Sequence, residues 1–138
     1  MKALVCTTPG RFDYSNTEMP TPAERETLLK IERIGICGTD LHAFEGTQPY
    51  FNYPRILGHE LAATIVETKA DGFAAGDKVT IIPYMHCGNC IACNSGKNNC
   101  CVNMRVFGVH IDGGMREFVT VPNHALLKSE GLSLDELA

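Results

Sequence analysis

The chain has 138 residues, of which 44% are hydrophobic and 20% charged, and its formal net charge is −4. These values suit one globular domain, and the scattered Lys and Arg residues argue against a nucleic acid or an anionic membrane as partner. The first apolar run is too short for a signal peptide, and no later run approaches the roughly 20 apolar residues of a membrane span. We therefore expect a cytoplasmic protein whose seven cysteines are reduced.

The first third of the chain predicts three strands. Residues 2–8 alternate around Leu4 and Cys6, a Pro-Gly turn follows, and residues 11–20 supply a hairpin partner. Residues 27–38 predict a longer strand whose inside–outside alternation slips at Arg33 and Ile34. A slip of one residue within a strand indicates a β-bulge.

The remaining elements are shorter. Residues 39–46 suit a helix that Thr39 or Asp40 could cap. Strands are predicted over 59–68, 77–83 and 116–122. A last helix begins at Ser133, with Glu136 three residues on as a capping box. Since the chain stops inside that helix, we expect it to be a fragment of a longer protein.

Residues 85–104, here called the cysteine lobe, have few apolar side chains and no periodicity. Five of the seven cysteines lie there: Cys87, Cys90, Cys93, Cys100 and Cys101. The repeated C-x2-C spacing turns several sulfurs onto one point, and a tetrahedral Zn²⁺ needs one further thiolate. The spacing does not decide whether Cys100 or Cys101 supplies this fourth thiolate. Four thiolates fill the coordination shell of zinc, so this site predicts a structural role.

Two further motifs carry possible ligands, "GICGTDLH" at 35–42 and "ILGHE" at 56–60. Each contains one residue of a type that binds zinc, Cys37 in the first and His59 in the second. Taken alone, Cys37 reads as a small core residue and His59 as a hydrogen-bonded histidine. Only the two motifs together with the cysteine lobe indicate a second metal site.

As a set, "GICGTDLH", "GHE", "GDKV", the cysteine lobe and "GGMREFVTVP" resemble the zinc-dependent medium-chain alcohol dehydrogenases over nearly the whole chain. The finer motifs are similar to those of polyol, threonine and sugar-acid dehydrogenases. The resemblance implies a mainly β fold, a GroES-like partly open barrel over residues 1–138, with short helices and the cysteine lobe as a zinc-binding excursion.

The resemblance also implies ligands for two zinc ions. Cys37 and His59 would bind a catalytic zinc, and Asp40 would orient His59 through its other ring nitrogen. Glu60 would sit directly behind the zinc, either as an alternative ligand or as an outer neighbour. The structural zinc would take Cys101 as its fourth ligand. The remaining histidines match nothing in the family and are expected to be ordinary surface residues: His86, His110 and His124.

The implied reaction oxidises a secondary alcohol, polyol or sugar acid to a ketone. Zinc would lower the pKa of the alcohol, and a hydride would pass to NAD or NADP. Thr39 would bind the substrate hydroxyl and pass its proton toward His42, which would deliver it to solvent. The resemblance further implies a homo-oligomer, a dimer or a tetramer.

Two parts of the family pattern are missing. No G-x-G-x-x-G occurs, so the Rossmann cofactor domain is not expected within these 138 residues. The third ligand of the catalytic zinc would lie just past Ala138. We expect the chain by itself to be inactive and to show no affinity for NAD(P), while still binding zinc in the lobe.

Two other interpretations remain open. A zinc-ribbon module for nucleic acid would need a basic face, which the acidic balance disfavours. A GroES-like interaction module, with zinc as structure only, would not need Thr39, Asp40 and His42 in register after Cys37. The number of zinc ions per chain in the complete protein separates these interpretations, because only a dehydrogenase needs two.

Overall fold

A computed structural model describes residues 1–138. Its ten strands are β1 (Lys2–Thr8), β2 (Arg11–Asn16), β3 (Glu26–Gly35), β4 (Arg55–Ile56), β5 (Glu60–Glu67), β6 (Lys78–Ile81), β7 (Tyr84–Met85), β8 (Arg105–Val106), β9 (Phe118–Pro122) and β10 (Leu126–Lys128). The three α-helices are α1 (Gly38–Glu45), α2 (Ile91–Asn94) and α3 (Leu134–Leu137). None of them is long and apolar enough to cross a membrane.

The strands form a five-stranded sheet in the order β10-β6-β5-β3-β9 and a three-stranded sheet in the order β2-β1-β4. The short segment before β9 joins the two sheets, because Ala3 of β1 forms an isolated bridge with Arg116 and the Ile31 amide of β3 donates to the Glu117 carbonyl. The remaining strand pair, β7 with β8, forms the root of the cysteine lobe. The predicted mainly β, partly open barrel is confirmed.

A hydrophobic core fills the five-stranded sheet's inner face. Alternating residues of β3, β5, β6 and β9 supply its fully buried side chains, among them Leu29, Leu61, Val79 and Val119. This alternation is the period-two pattern that predicts a strand with one buried face. A smaller cluster of Cys6, Ala43 and Leu57 packs α1 against the three-stranded sheet.

The sequence-based elements are largely confirmed, with some corrections. The predicted hairpin of β1 and β2 is present, and the bulge in β3 lies between Ile31 and Arg33, where the pairing with β5 shifts. Neither Thr39 nor Asp40 caps α1. The N-cap is Cys37, whose backbone amide donates to the carboxylate of Asp40 three residues on.

The other corrections concern short elements. Strand β9 begins at Phe118 rather than at residue 116, because the N–H groups of residues 113–115 donate to the carbonyls of residues 56–58 and that of Arg116 donates to Gly114. The sequence did not predict five short elements, namely strands β4, β7, β8 and β10 and helix α2. The capping box of α3 is confirmed, since both the hydroxyl and the amide of Ser133 donate to the Glu136 carboxylate.

Candidate metal sites

Four sulfur atoms converge in the cysteine lobe. The Sγ distances are 3.5 Å from Cys90 to Cys93, 3.9 Å from Cys90 to Cys101 and 3.5 Å from Cys87 to Cys101. Around a tetrahedral Zn²⁺ with Zn–S bonds of about 2.3 Å, neighbouring sulfurs lie about 3.8 Å apart. Disulfide sulfurs would be only about 2.05 Å apart. The four thiols therefore have the spacing that a bound zinc ion needs.

Backbone amides around this cluster favour the charged form of two thiols. The N–H groups of Cys93 and Val102 lower the pKa of Cys90 to about 6. The N–H of Asn89 likewise lowers the pKa of Cys87. In contrast, desolvation and the neighbouring thiols raise the pKa of Cys93 to about 11. A cluster that readily releases some of its protons is suited to a cation, because zinc binds thiolates rather than thiols.

Of the two adjacent cysteines, only Cys101 belongs to this cluster. Cys101 is buried and its sulfur accepts the backbone N–H of Cys87 at 3.3 Å. Cys100 ends the 3₁₀ turn Asn98–Cys100 and is exposed. The structure thus brings together the four residues that the resemblance assigns to the structural zinc and leaves Cys100 outside.

A second cluster lies at the mouth of the barrel. The Cys37 Sγ and the His59 Nε2 are 3.0 Å apart, and together with a carboxylate oxygen of Asp40 they lie within 4.8 Å of one another. Cys37 stands between β3 and α1, and His59 directly precedes β5, the strand that pairs with the end of β3. Pairing of these two strands therefore brings together ligands that are distant in the sequence.

Asp40 ties the two halves of this cluster together. Its side chain is only 3% exposed, and its two oxygens accept the backbone N–H of Cys37 and of Gly58, each at 3.1 Å. The His59 Nδ1 faces the same carboxylate at 3.7 Å, too long for a hydrogen bond, and is buried without a partner. Its Nε2 points instead to the Cys37 sulfur. A thiol and a ring nitrogen that converge in this way suit Zn²⁺.

Thr39 and His42 lie on α1 with the spacing that puts side chains on one helix face. Thr39 is half-buried and lines a cavity of about 510 Å³ together with Cys37 and His59. His42 is exposed, and its Nδ1 lies 3.3 Å from the Thr47 hydroxyl and 3.4 Å from the Glu45 carboxylate. Thr39 thus lines the cavity, whereas His42, one turn further along the helix, lies in solvent.

Glu60 lies on the rim of the same cavity but outside the second cluster. Its side chain is exposed. Its Oε2 lies against Gly35, where an added Cβ would come within 2.8 Å of it. The structure therefore does not group Glu60 with Cys37 and His59.

The sequence did not indicate the other walls of the cavity. They include Thr80, Tyr84 and Leu137, which come from β6, β7 and α3. Tyr84 is 57% exposed, and its position directly before the lobe was the only signal that could have drawn attention to it. The sequence also did not predict the hydrogen bond from the Gly58 N–H to the Asp40 carboxylate, because no local pattern relates residues of two different segments.

The three remaining histidines lie outside both clusters. The rings of His86 and His124 are 4.9 Å apart, and burial together with the neighbouring His86 lowers the pKa of His124. The Nδ1 of His110 accepts the backbone N–H of Val106. The first contact links the lobe to the turn after β9, and the second lies within the turn after β8.

Sequence comparison gives relatives over almost the whole chain. Residues 23–131 match the alcohol dehydrogenase GroES-like domain family. The chain is 44% identical over 135 residues to L-galactonate-5-dehydrogenase of Escherichia coli K12, covering 96% of this chain and 39% of that protein. It is 36% identical over 135 residues to L-threonine 3-dehydrogenase of Pyrococcus horikoshii, covering 94% and 39%. The chain thus spans about two fifths of the length of these curated relatives.

Solved structures agree with the fold. Galactitol-1-phosphate dehydrogenase of Escherichia coli superposes with a TM-score of 0.90 at 26% identity, over 99% of this chain and 40% of that one. The RspB alcohol dehydrogenase of Escherichia coli CFT073, solved with NADH, superposes with a TM-score of 0.87 at 33% identity, over 99% and 41%.

Proposed function

The chain belongs to the alcohol dehydrogenase GroES-like domain family, and from that premise we propose that it is the zinc-binding catalytic domain of an NAD(P)-linked dehydrogenase. The observation that carries this proposal is the 3.0 Å approach of Cys37 Sγ to His59 Nε2 inside a cavity that Thr39 also lines. An interaction module has no need of this convergence. In the complete protein, a Rossmann domain would add the nicotinamide cofactor to residues 1–138.

The cysteine lobe would hold a structural zinc. Its four thiols have the sulfur spacing of a zinc tetrahedron, and four thiolates leave no coordination position for a substrate. The backbone amides that lower the pKa of Cys90 and Cys87 would help release the protons that zinc displaces. The function of this zinc would be to order residues 85–104.

The residues at the mouth of the barrel would hold a catalytic zinc. Cys37 would bind it as a thiolate, and His59 through Nε2, while Asp40 fixes the backbone next to both residues. Glu60 lines the same cavity and would act as an occasional ligand or as an outer neighbour. When bound, zinc supplies Lewis-acid stabilisation of negative charge on the substrate oxygen, and the nicotinamide accepts the hydride.

Two residues of α1 would handle the proton of the alcohol. Thr39 faces the cavity, so its hydroxyl can accept a hydrogen bond from the substrate hydroxyl and hold that group in place. His42 faces solvent one turn further along the same helix, and an imidazole can take up and release a proton near neutral pH. The pair would carry the proton from the cavity to bulk water.

The substrate would be a small polyhydroxylated molecule with a secondary alcohol. The relatives are named for a sugar acid, a hydroxy amino acid and a polyol phosphate. We therefore expect oxidation of a sugar acid or polyol to the ketone, in a homo-oligomeric cytoplasmic enzyme. L-galactonate and galactitol, each with NAD⁺ or NADP⁺, are the first substrates to assay.

Metal analysis of the complete protein tests the proposal. We expect two zinc ions per chain, of which Cys37→Ser removes one together with the dehydrogenase activity. The matched control is Cys6→Ser, a buried cysteine outside both clusters, which should keep both ions. One zinc per chain, unaffected by Cys37→Ser, would instead support the interaction module in which zinc is only structural.

The proton path is tested by pH profiles of the complete enzyme. Thr39→Ala should lower kcat about 10²–10⁴-fold while cofactor binding changes little, because proton transfer contributes on this scale. His42→Ala should lower kcat less, with a loss that grows as the pH falls. His124→Ala, another exposed histidine, is the control. A pH profile that His42→Ala leaves unchanged would remove His42 from the mechanism.

A further inference from the structure

A ladder of backbone hydrogen bonds holds the segment that leads into His59. The N–H groups of Gly113, Met115 and Gly114 donate to the carbonyls of Ile56, Leu57 and Gly58 at 2.7, 2.9 and 2.8 Å. The carboxylate of Asp112 adds an acceptor for the Ile56 N–H at 3.1 Å. Each residue of this short segment is therefore bonded to residues 112–115, which the sequence placed in no element.

Close contacts between glycines reinforce this ladder. Gly58 has a φ of +89°, and its carbonyl oxygen lies where side chains of two other glycines would have to go. A Cβ on Gly108 would come within 2.7 Å of that oxygen, and a Cβ on Gly113 would overlap it. No side chain fits between these three backbones. The Gly58 carbonyl therefore has one position in the folded protein.

The N–H of Gly58 is fixed from the other side. It donates to Asp40, the same carboxylate that accepts the N–H of Cys37. With its carbonyl bonded to Gly114 and packed against Gly108 and Gly113, Gly58 is held at both ends. Since His59 is the next residue, the direction of its side chain follows from the orientation of this glycine.

We propose that Gly108 and Gly113 are positioning residues for His59, which set the distance between its Nε2 and the Cys37 sulfur. The geometric part of this inference concerns the chain alone. Its consequence for a metal ion rests on the proposed function. Backbone contacts of this kind would act as outer neighbours of a zinc ligand do, although they reach the ligand through the main chain.

The chain offers a matched control for Gly108. Gly72 has nearly the same backbone angle, with a φ of +78° against +76° for Gly108, but has no neighbouring atom within 4 Å of an added Cβ. Gly72→Ala and Gly108→Ala therefore carry the same cost of a left-handed backbone, and differ in the contact with Gly58. Gly113→Ala tests that contact without a left-handed backbone angle, although its Cβ would also come within 2.6 Å of Gly108 Cα and Leu57 O.

The first measurement is the contact between the His59 ring and Cys37, observed by NMR as a nuclear Overhauser effect in the zinc-loaded 138-residue chain. We expect this contact to be weakened or lost in Gly108→Ala and Gly113→Ala, and retained in Gly72→Ala. If Gly108→Ala or Gly113→Ala does not fold, Asp112→Ala decides, because it removes only the acceptor of the Ile56 N–H and the partner of Arg55. If the contact survives in every folded variant, the inference is wrong.

The second measurement is Co²⁺ binding to the complete protein with zinc already bound in the lobe. Gly108→Ala and Gly113→Ala should weaken the affinity about tenfold or more relative to Gly72→Ala, as loss of an outer neighbour does. If the unsubstituted complete protein binds Co²⁺ no better than its Cys37→Ser variant does, the proposed metal at Cys37 and His59 is wrong. The NMR contact then still decides whether the glycines position His59.

Discussion

The cysteine lobe and the barrel each gather possible metal ligands, but they do so in opposite ways. In the lobe, the four thiols come from one short stretch, and none of residues 86–100 is buried. In the barrel, Cys37 and His59 are 22 residues apart and are supported by fully buried side chains such as Leu61. In the lobe a metal would create the structure, whereas in the barrel the structure creates the site.

The largest expected effect follows from this dependence of the lobe on its metal. Cys101→Ser should release the lobe zinc and disorder residues 85–104, because metal ligation of this kind supplies folding free energy of order 10 kcal/mol. The barrel should stay folded, since Met85, at the root of the lobe, is the only lobe residue in its core. Elemental analysis and amide hydrogen exchange measure both results.

Cys100→Ser is the matched control, a neighbouring thiol that is exposed and outside the cluster. It should leave the zinc content and the exchange pattern unchanged. Loss of zinc in Cys100→Ser with retention in Cys101→Ser would reverse the assignment of the fourth ligand. Unfolding of the barrel together with the lobe would contradict the conclusion that only the lobe depends on its metal.

A smaller effect is expected when the barrel site is disturbed at Asp40. Asp40→Ala leaves the buried N–H of Gly58 and the partly buried N–H of Cys37 without an acceptor, and a buried donor that loses its acceptor costs about 1–3 kcal/mol. The free energy of unfolding in urea should therefore fall by at least about 1–3 kcal/mol. Asp40→Asn keeps one acceptor oxygen and should lose less.

The control for Asp40 is Asp13→Ala, which removes a surface ion pair with Arg11 and a hydrogen bond from Thr7 and should destabilise the fold far less. The zinc content of the lobe should not change in either variant. Equal destabilisation by Asp40→Ala and Asp13→Ala would mean that the bridge between the ligand-bearing segments contributes nothing.

The smallest effect concerns α3, whose Leu137 lines the barrel cavity. Hydrogen bonds from the Ser133 hydroxyl and N–H hold the pKa of Glu136 below its usual 4.5. A carboxyl group with a lowered pKa in the folded state stabilises that state above the unfolded pKa, and this contribution is lost as the pH falls through the folded pKa. We therefore expect α3 to fray below about pH 4.5.

The protection factor of the Leu137 amide, which is its exchange rate corrected for the intrinsic effect of pH on exchange, measures this fraying between about pH 6 and pH 3. Ser133→Ala should lower the protection factor at the higher pH and remove most of its pH dependence. At each pH, the lobe amides should behave alike in Ser133→Ala and in the unsubstituted chain. A protection factor of Leu137 that does not change with pH in the unsubstituted chain would contradict the prediction.

The sequence predicts the fold best where strands are long. The alternating pattern identifies β1, β3, β5 and β9 because each shows several periods of two residues. A strand of two residues such as β7 is too short to show a period. It forms through its pairing with β8, which the local sequence does not reveal. The bulge in β3 was predicted because a shift of one residue changes which side chains face the core.

The sites divide in the same way. The zinc spacing of the lobe is local and therefore visible in the sequence, although the choice between Cys100 and Cys101 needed either the family resemblance or the structure. Cys37 and His59 carry no local signal of their proximity. The contact of Gly113 with Gly58 could not be predicted at all, because it depends on how distant segments cross.

The root of the lobe is a strand pair in which Met85 lies directly opposite Arg105. The chain therefore leaves the barrel and returns to it at the same place. Segments with adjoining ends can be shortened, lengthened or exchanged with little strain on what they interrupt. We expect that a two-residue turn can replace residues 86–104, and that this position is where related chains would differ most in length without altering the barrel.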